Sequence, residues 1–243
     1  MDMQDFSVKF NPHPRVVRVS LETGQSVFVV DDALDRPEHL VALADAVKDE
    51  FVQVPGNPFP GSQLLMDDEF SGKLDAFFRL HIRSLLDCRR SLHMFSRLSR
   101  VTLLPNELDA RQRICHRDSA GVDPRHSISA SVLYLFDDAS LGGTVFFAPA
   151  GSSQETEKLV QDASTLDKHV FAKKYGWPAS YMAHSNMYFK VIGRVPARRN
   201  RIIFYDGNIF HSSDIRHPEK LIAADSVGRL TINGFFNCTR RAV

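Results

Sequence analysis

The triplet His116-Arg117-Asp118 puts an imidazole and a carboxylate two positions apart. Residues i and i+2 of an extended segment project from one face. Reading RQRICHRD as a strand therefore brings His116 and Asp118 to one point and turns Arg117 away. A nitrogen and an oxygen donor this close suit a divalent transition metal, and a third ligand from elsewhere would complete a facial triad. RIIFYDGNIFHSSD (201–214) supplies it: an apolar strand, Ile202 to Tyr205, runs into a polar turn with His211 just beyond. His217, beside Pro218 in the charged stretch DIRHPEK, is the rival. Further on, Gly228-Arg229-Leu230-Thr231 opens another strand, in which Arg229 and Thr231 share a face. A buried arginine is costly unless an anion meets it. Its planar fork matches a carboxylate in bidentate fashion, and the Thr231 hydroxyl could assist. Taken alone, Arg229 reads more simply as a surface ion pair, and Lys220 is a second candidate cation.

Two further features carry chemistry. Ser127, Ser129 and Ser131 alternate on one face of SISASVLYLF, either leaving room and hydroxyls for a polar ligand inside a barrel or facing solvent. The letters His-Arg-Asp also open the catalytic loop of protein kinases, but such a loop needs Asn where this chain has Asp123. There is no DFG, no Gly-rich loop and no VAIK-like strand, so the kinase reading fails.

The elements that must position these residues are short strands. RVVRVSL and SVFVVDD flank the polar turn ETGQ as a hairpin over residues 15–32. Asp35, Pro37 and Glu38 announce a helix with Leu40, Leu43, Ala44, Val47 and Phe51 at helical spacing. The Pro/Gly-rich stretch 54–61 is a loop. Leu74, Phe77, Phe78, Ile82, Leu85 and Leu86 then mark a second helix, with His81 at its core boundary. From about residue 95 the runs FSRLSRVTLL, RQRICHRD, SISASVLYLF and GTVFFAP are strand-like; after a polar, partly helical insert come MYFKVIGRV, RIIFYDG and GRLTINGFFN. Two helices beside many short strands imply a mainly β (α+β) fold, a double-stranded β-helix (jelly roll) with N-terminal helical support. We expect one domain over 1–243: a hairpin and two helices in 1–94, a core in 95–237 and an insert at about 150–195.

Composition narrows the function. Lys plus Arg number 30 against 29 Asp plus Glu, a net charge of +1, which leaves no footprint for nucleic acid or an anionic membrane. No apolar run approaches the roughly 18 residues of a membrane span. The three cysteines have no CxxC spacing, and the opening MDMQDFSVKF lacks a secretion pattern, which points to a reducing, cytoplasmic setting.

The order HxD, then His, then Gly-Arg-x-Thr resembles that of the 2-oxoglutarate- and Fe(II)-dependent dioxygenases, in particular their prolyl-4-hydroxylase-like branch. The resemblance covers roughly residues 95–237, with 150–195 poorly matched, and includes VLYLFDD followed by GGTVFF and the strand leading to His211. It implies that His116, Asp118 and His211 hold Fe(II) and that Arg229 binds the distal carboxylate of 2-oxoglutarate. Thr231 and Tyr134 would support that carboxylate, with Ser129 and Ser131 as further cofactor contacts. The spacing from His211 to Arg229 is longer than is common in the family, which keeps Lys220 as the alternative anchor. With O2 as co-substrate, such an enzyme hydroxylates its substrate, here an unidentified small molecule or peptide, and releases succinate and CO2. Asp118 stands where halogenating relatives carry a small residue, so hydroxylation is favoured. Two readings from other classes are a non-catalytic jelly-roll binding protein with a relic metal site and a cupin-like metalloenzyme that does not use 2-oxoglutarate. The loop 54–61 and the insert, with Trp177, Tyr181 and Tyr188, are placed to shape the substrate site. Arg194, Arg198, Arg199 and Arg201 form a basic cluster that suits either an anionic substrate or a guarded strand edge.

Overall fold

RIIFYD buries both halves of its alternation, Ile202 and Phe204 in one apolar cluster and Ile203 and Tyr205 in another. A strand buried on both faces has to lie between two layers, and the computed structural model places it there. The structure describes residues 7–54, 56–86, 88–118, 123, 125–223 and 228–240. Residues 1–6 of the opening segment read for targeting, and Pro55 of the Pro/Gly loop, lie outside the described residues.

The strands are β1 (Val16–Ser20), β2 (Ser26–Val30), β3 (Gly61–Leu65), β4 (Cys88–Val101), β5 (His126–Tyr134), β6 (Thr144–Pro149), β7 (Phe189–Val195), β8 (Arg201–Asp206), β9 (Phe210–Ser213) and β10 (Arg229–Arg240). The helices are α1 (Pro37–Ala46), α2 (Asp68–His81), α3 (Ala110–Arg113), α4 (Ser153–Thr165) and α5 (Lys168–Tyr175), with a further helical turn at Lys220–Ala223. One sheet has seven strands in the order β1-β2-β8-β5-β10-β4-β3, and a second has three, β7-β6-β9. Every pairing is antiparallel, and neither sheet closes on itself.

Three layers result. α1 and α2 cover one face of the large sheet through Leu40, Leu74, Phe77 and Phe78, which pack on Phe204 and Phe236. The Phe78 and Phe236 rings stack with centroids 4.0 Å apart. The other face meets the small sheet through Val27, Val29, Tyr134, Tyr205, Phe146 and Ile192. The insert forms α4 and α5 and makes a third cluster with Phe147, Phe171, Trp177 and Phe210. Among the described residues no helix is long and apolar enough to cross a membrane.

The structure revises several local expectations. Asp35 does not cap α1; its carboxylate accepts from the Lys9 backbone N–H instead, and Arg36 stands at the cap position without a side-chain bond. The second helix ends at His81, and Arg83–Leu86 continue as a 3₁₀ turn. The Pro/Gly loop runs directly into β3, and β4 begins at Cys88, before the expected change of texture. RQRICHRD is not a strand: Ala110–Arg113 is one helical turn, followed by extended backbone that touches β9 at a single bridge.

Candidate metal centre and its cavity

That single bridge builds the site. The His116 N–H donates to the His211 carbonyl and the His211 N–H to the His116 carbonyl, each at 3.0 Å. Two residues that exchange both backbone bonds stand directly opposite, with their side chains on one face. The imidazole centroids accordingly lie 4.4 Å apart. Asp118 arrives by a separate anchor: its N–H donates to the Gly207 carbonyl at 2.8 Å, while the Gly207 N–H donates to Ile128 of β5 at 2.8 Å. A Cβ on Gly207 would lie 2.7 Å from the Ile128 oxygen and 3.0 Å from the Asp118 Cβ. Only glycine lets the two chains approach this closely. Upstream, the Trp177 Nε1–H donates to the Arg113 carbonyl and the Cys115 N–H to the Met182 sulfur, so the insert braces the approach to His116.

The ligand atoms converge. His116 Nε2 lies 3.6 Å from one Asp118 oxygen and His211 Nε2 lies 3.5 Å from the other; one donor atom from each residue falls within 4.8 Å of the others. Two donors at about 2.1 Å from one ion can be at most about 4.2 Å apart, so each His–Asp pair fits a shared ion. His211 Nδ1 faces the Ile209 carbonyl at 2.9 Å. A carbonyl only accepts, so Nδ1 carries the proton and Nε2 keeps its lone pair for a metal. Burial drives the His116 pKa well below its ordinary value, and the neighbouring His211 and Arg111 act in the same direction. Burial raises that of Asp118, with His211 opposing. One Asp118 oxygen, Oδ2, has no hydrogen-bond partner. A His116 imidazole that resists protonation and an Asp118 carboxylate that resists ionisation lack a positive charge between them, which a divalent ion supplies.

At the far end of the same cavity lies Arg229, 2% exposed. Its Nε and Nη2 donate to the Gly142 and Gly143 carbonyls at 3.1 and 2.9 Å. The guanidinium sits near the Phe136 ring, and no ion pair is formed by Arg229 among the described residues. Burial lowers its pKa. Glycine is required at 142 and 143: a Cβ at either would fall within about 2.3 Å of a backbone oxygen, from Asp214 or Val195. Thr231 shares the face of Arg229, and its buried hydroxyl has no partner. Tyr134, opposite Thr231 in register, bonds its hydroxyl to Thr144 at 2.8 Å; burial pushes its pKa up to about 12. Thr144 lines the cavity. GGTVFF contains it, but nothing in the sequence singles out its hydroxyl.

The cavity has a volume of about 120 Å³ and is walled by Asn57 to Pro60 of the Pro/Gly loop and by Tyr181 and Met182 of the insert. The Gln112 amide donates to the Asn57 and Phe59 carbonyls and so ties the loop to α3. Trp177 and Tyr188 do not reach the cavity; they stack on each other in the third cluster.

Other candidates are placed elsewhere. Ser127 and Ser129 turn toward the helical layer and bond the Cys88 thiol at 3.6 and 3.2 Å. The Ser131 hydroxyl lies against Gly234 and Leu74, and Ser131 is also one of the residues that line the cavity. The serine face is not the solvent side, because all three serines are buried. Lys220 bonds Ser140 outside the cavity, and His217 pairs with Glu219 in an exposed loop. Each arginine of the basic cluster is ion-paired: Arg194 with Asp214, Arg198 and Arg201 both with Asp31, and Arg199 with Asp137. None of the four lines the cavity.

Comparison with known proteins places this architecture in a family. A family model described as "Family of unknown function (DUF6445)" matches residues 11–236. The chain belongs to DUF6445. No curated protein matches this DUF6445 chain. Among solved structures it is similar to a prolyl-4-hydroxylase of Pseudomonas putida, with 14% identity, TM-score 0.42 and coverage of 86% of this chain and 88% of that one. It is similar to HygX of Streptomyces hygroscopicus with nickel and 2-oxoglutarate bound, with 9% identity, TM-score 0.46 and coverage of 88% and 83%. EvdO2 of Micromonospora carbonacea var. aurantiaca complexed with 2-oxoglutarate is similar too, with 11% identity, TM-score 0.42 and coverage of 95% and 96%.

Proposed function

We propose that this DUF6445 protein is a 2-oxoglutarate- and Fe(II)-dependent oxygenase that hydroxylates a small molecule or peptide. The observation that carries the reading is Arg229: a buried guanidinium with no acidic partner, opening into the cavity that also holds three converging metal-ligand side chains. Such a charge is expensive to bury alone, and a dicarboxylate chelated at the triad would bring its far carboxylate to it. The orphaned atoms fit that group. Asp118 Oδ2 and Thr231 Oγ1 both lack partners, one at each end of the space the keto acid would fill. The two antiparallel sheets would form the double-stranded β-helix core, and the assignment to the prolyl-4-hydroxylase-like branch rests on the sequence pieces quoted above. The three free, buried cysteines suit a reducing, cytoplasmic compartment.

When bound, Fe(II) and 2-oxoglutarate supply the activation of O2 that inserts one oxygen into a substrate C–H bond, with succinate and CO2 as co-products. The chain's own residues do the rest. His116 and His211 would offer their Nε2 atoms, and Asp118 would offer an anionic oxygen that offsets part of the ion's charge. Arg229 clamps the distal carboxylate, with Thr231 and Thr144 as flanking hydroxyls, and the Tyr134–Thr144 bond holds the second of these in place. Ile114, Met182 and Phe235 keep the walls apolar, which strengthens every charge interaction inside.

Anaerobic titration with Fe(II) and then 2-oxoglutarate tests the proposal through the visible charge-transfer band of a chelated keto acid. The wild type is expected to show the band, His211→Ala to lose it, and Arg229→Gln to need at least about tenfold more 2-oxoglutarate. Iron binding without a band would transfer the site to a cupin-like metalloenzyme, and binding of neither would leave a relic.

A further inference from the structure

Of the arginines lining the cavity, a second also lacks an acid. Arg97 of β4 stands opposite Asn233 of β10 and Leu65 of β3. Among the described residues its guanidinium makes one hydrogen bond, from Nη1 to the Gln63 side-chain oxygen at 3.2 Å, and no carboxylate lies within ion-pair distance. A guanidinium carries five N–H donors, so most of its donor capacity is unspent. The groups around it are neutral amides and a hydroxyl, bonded to one another. Gln63 accepts from Asn57 at 2.6 Å and donates to Ser99 at 3.0 Å, and Asn233 donates to Ser99 at 3.3 Å. This network fixes Gln63, which in turn holds one edge of the guanidinium.

We propose that Arg97 binds the carboxylate of the oxidisable substrate, so that the enzyme acts on a carboxylic acid with an apolar body. The inference rests on the assignment of Arg229 to 2-oxoglutarate. Arg97 is in register with Asn233, four residues along β10 from Arg229, and four residues of strand span about 13 Å. One keto acid held at Arg229 therefore leaves Arg97 for a second anion. A single positive charge among neutral amides suits a monoanion, and the planar fork suits a carboxylate.

The floor between Arg97 and the metal ligands is apolar. Tyr205, whose ring lies 4.7 Å from that of His211, pairs with Ala130, and Ala130 pairs with Phe235. Phe235 stacks on Phe95 with centroids 5.0 Å apart, and the Arg97 guanidinium carbon lies 5.3 Å from the Phe95 ring. From Tyr205 to Phe95 is three strand spacings, about 14 Å. A molecule lying on Phe235 with its acid at Arg97 would extend its other end toward the triad.

The test is calorimetric and needs no turnover. Protein loaded with Ni(II) and 2-oxoglutarate is titrated with 3-phenylpropanoate, octanoate and N-acetylphenylalanine, each against its own primary amide. The expected result is at least a tenfold preference for one or more of the acids in the wild type, lost in Arg97→Gln and partly kept in Arg97→Lys. A separate titration should find 2-oxoglutarate binding by Arg97→Gln within about threefold of wild type, which shows that the variant is folded. Equal treatment of acid and amide across the panel, binding of none, or a preference that survives Arg97→Gln would each overturn the proposal. Absence of 2-oxoglutarate binding in the wild type is read separately; it sinks the oxygenase assignment and this inference with it.

Discussion

Asp118 is held by two constraints that oppose each other in the absence of an ion: backbone geometry fixes its place, and burial disfavours its charge. Asp118→Asn should therefore raise the thermal midpoint of metal-free protein while abolishing the rise that Ni(II) produces in the wild type. Differential scanning fluorimetry with and without the metal reads both effects. Gly207→Ala makes a different point. Its added methyl would collide with the Ile128 carbonyl and the Asp118 Cβ, so metal affinity should fall about 10- to 100-fold, the usual cost of disturbing a group that orients a ligand. Far-UV circular dichroism should stay close to that of the wild type. The convergence of His116, Asp118 and His211 was legible in the sequence because their types and order carry chemistry. Arg97 was not, since an arginine on a strand reads as a solvated residue until its neighbours are known. Ser129, bonded to the Cys88 thiol, shows the complementary limit: alternation assigns residues to a common face without saying which layer covers that face.

At the scale of elements, Gln112 connects α3 to the loop beside the cavity. Its side chain accepts from the Asp109 N–H and donates to two loop carbonyls. Gln112→Ala should cost about 1–2 kcal/mol and speed proteolytic cleavage within 56–60, measured by limited digestion. Between α4 and α5, Asp162 receives Lys174, Tyr175 and Lys158, which hold its carboxyl far below the ordinary range. A depressed folded-state pKa contributes stability above the unfolded value, near 4, and that contribution disappears as the pH falls toward the folded value. Asp162→Asn should then melt below wild type at pH 7, with the gap closing below about pH 4. Strands such as β2, β6, β8 and β10 were legible from their apolar runs. GSQLL of β3 has little apolar alternation, and the four residues of α3 are too short to show a helical period.

For the whole molecule, the metal would join two chain stretches that lie on either side of the insert, and the single tryptophan sits in the insert's own cluster. Trp177 fluorescence should thus report whether the site and the insert unfold together. At Ni(II) about 100-fold above its Kd, linkage predicts about 2.7 kcal/mol of added stability. The fluorescence and circular-dichroism midpoints in urea should both rise if the braces at Arg113 and Cys115 transmit it. A rise in circular dichroism alone would mean that the insert melts independently.

The insert departs from β6 and rejoins at β7 through one doorway, where Pro149 pairs with Phe189 and the Ala150 N–H meets the Tyr188 carbonyl at 2.8 Å. A segment whose two ends already touch behaves as a cassette: it can be exchanged without stretching the hairpin that carries it. Transplanting this cassette between relatives would rebuild the mouth of the cavity through Tyr181 and Met182 while every metal ligand stayed in the host. Any incoming cassette must still offer a donor for the Arg113 carbonyl and an acceptor for the Cys115 N–H, and those two bonds set how far the mouth can drift while the backbone that carries His116 and Asp118 keeps its shape.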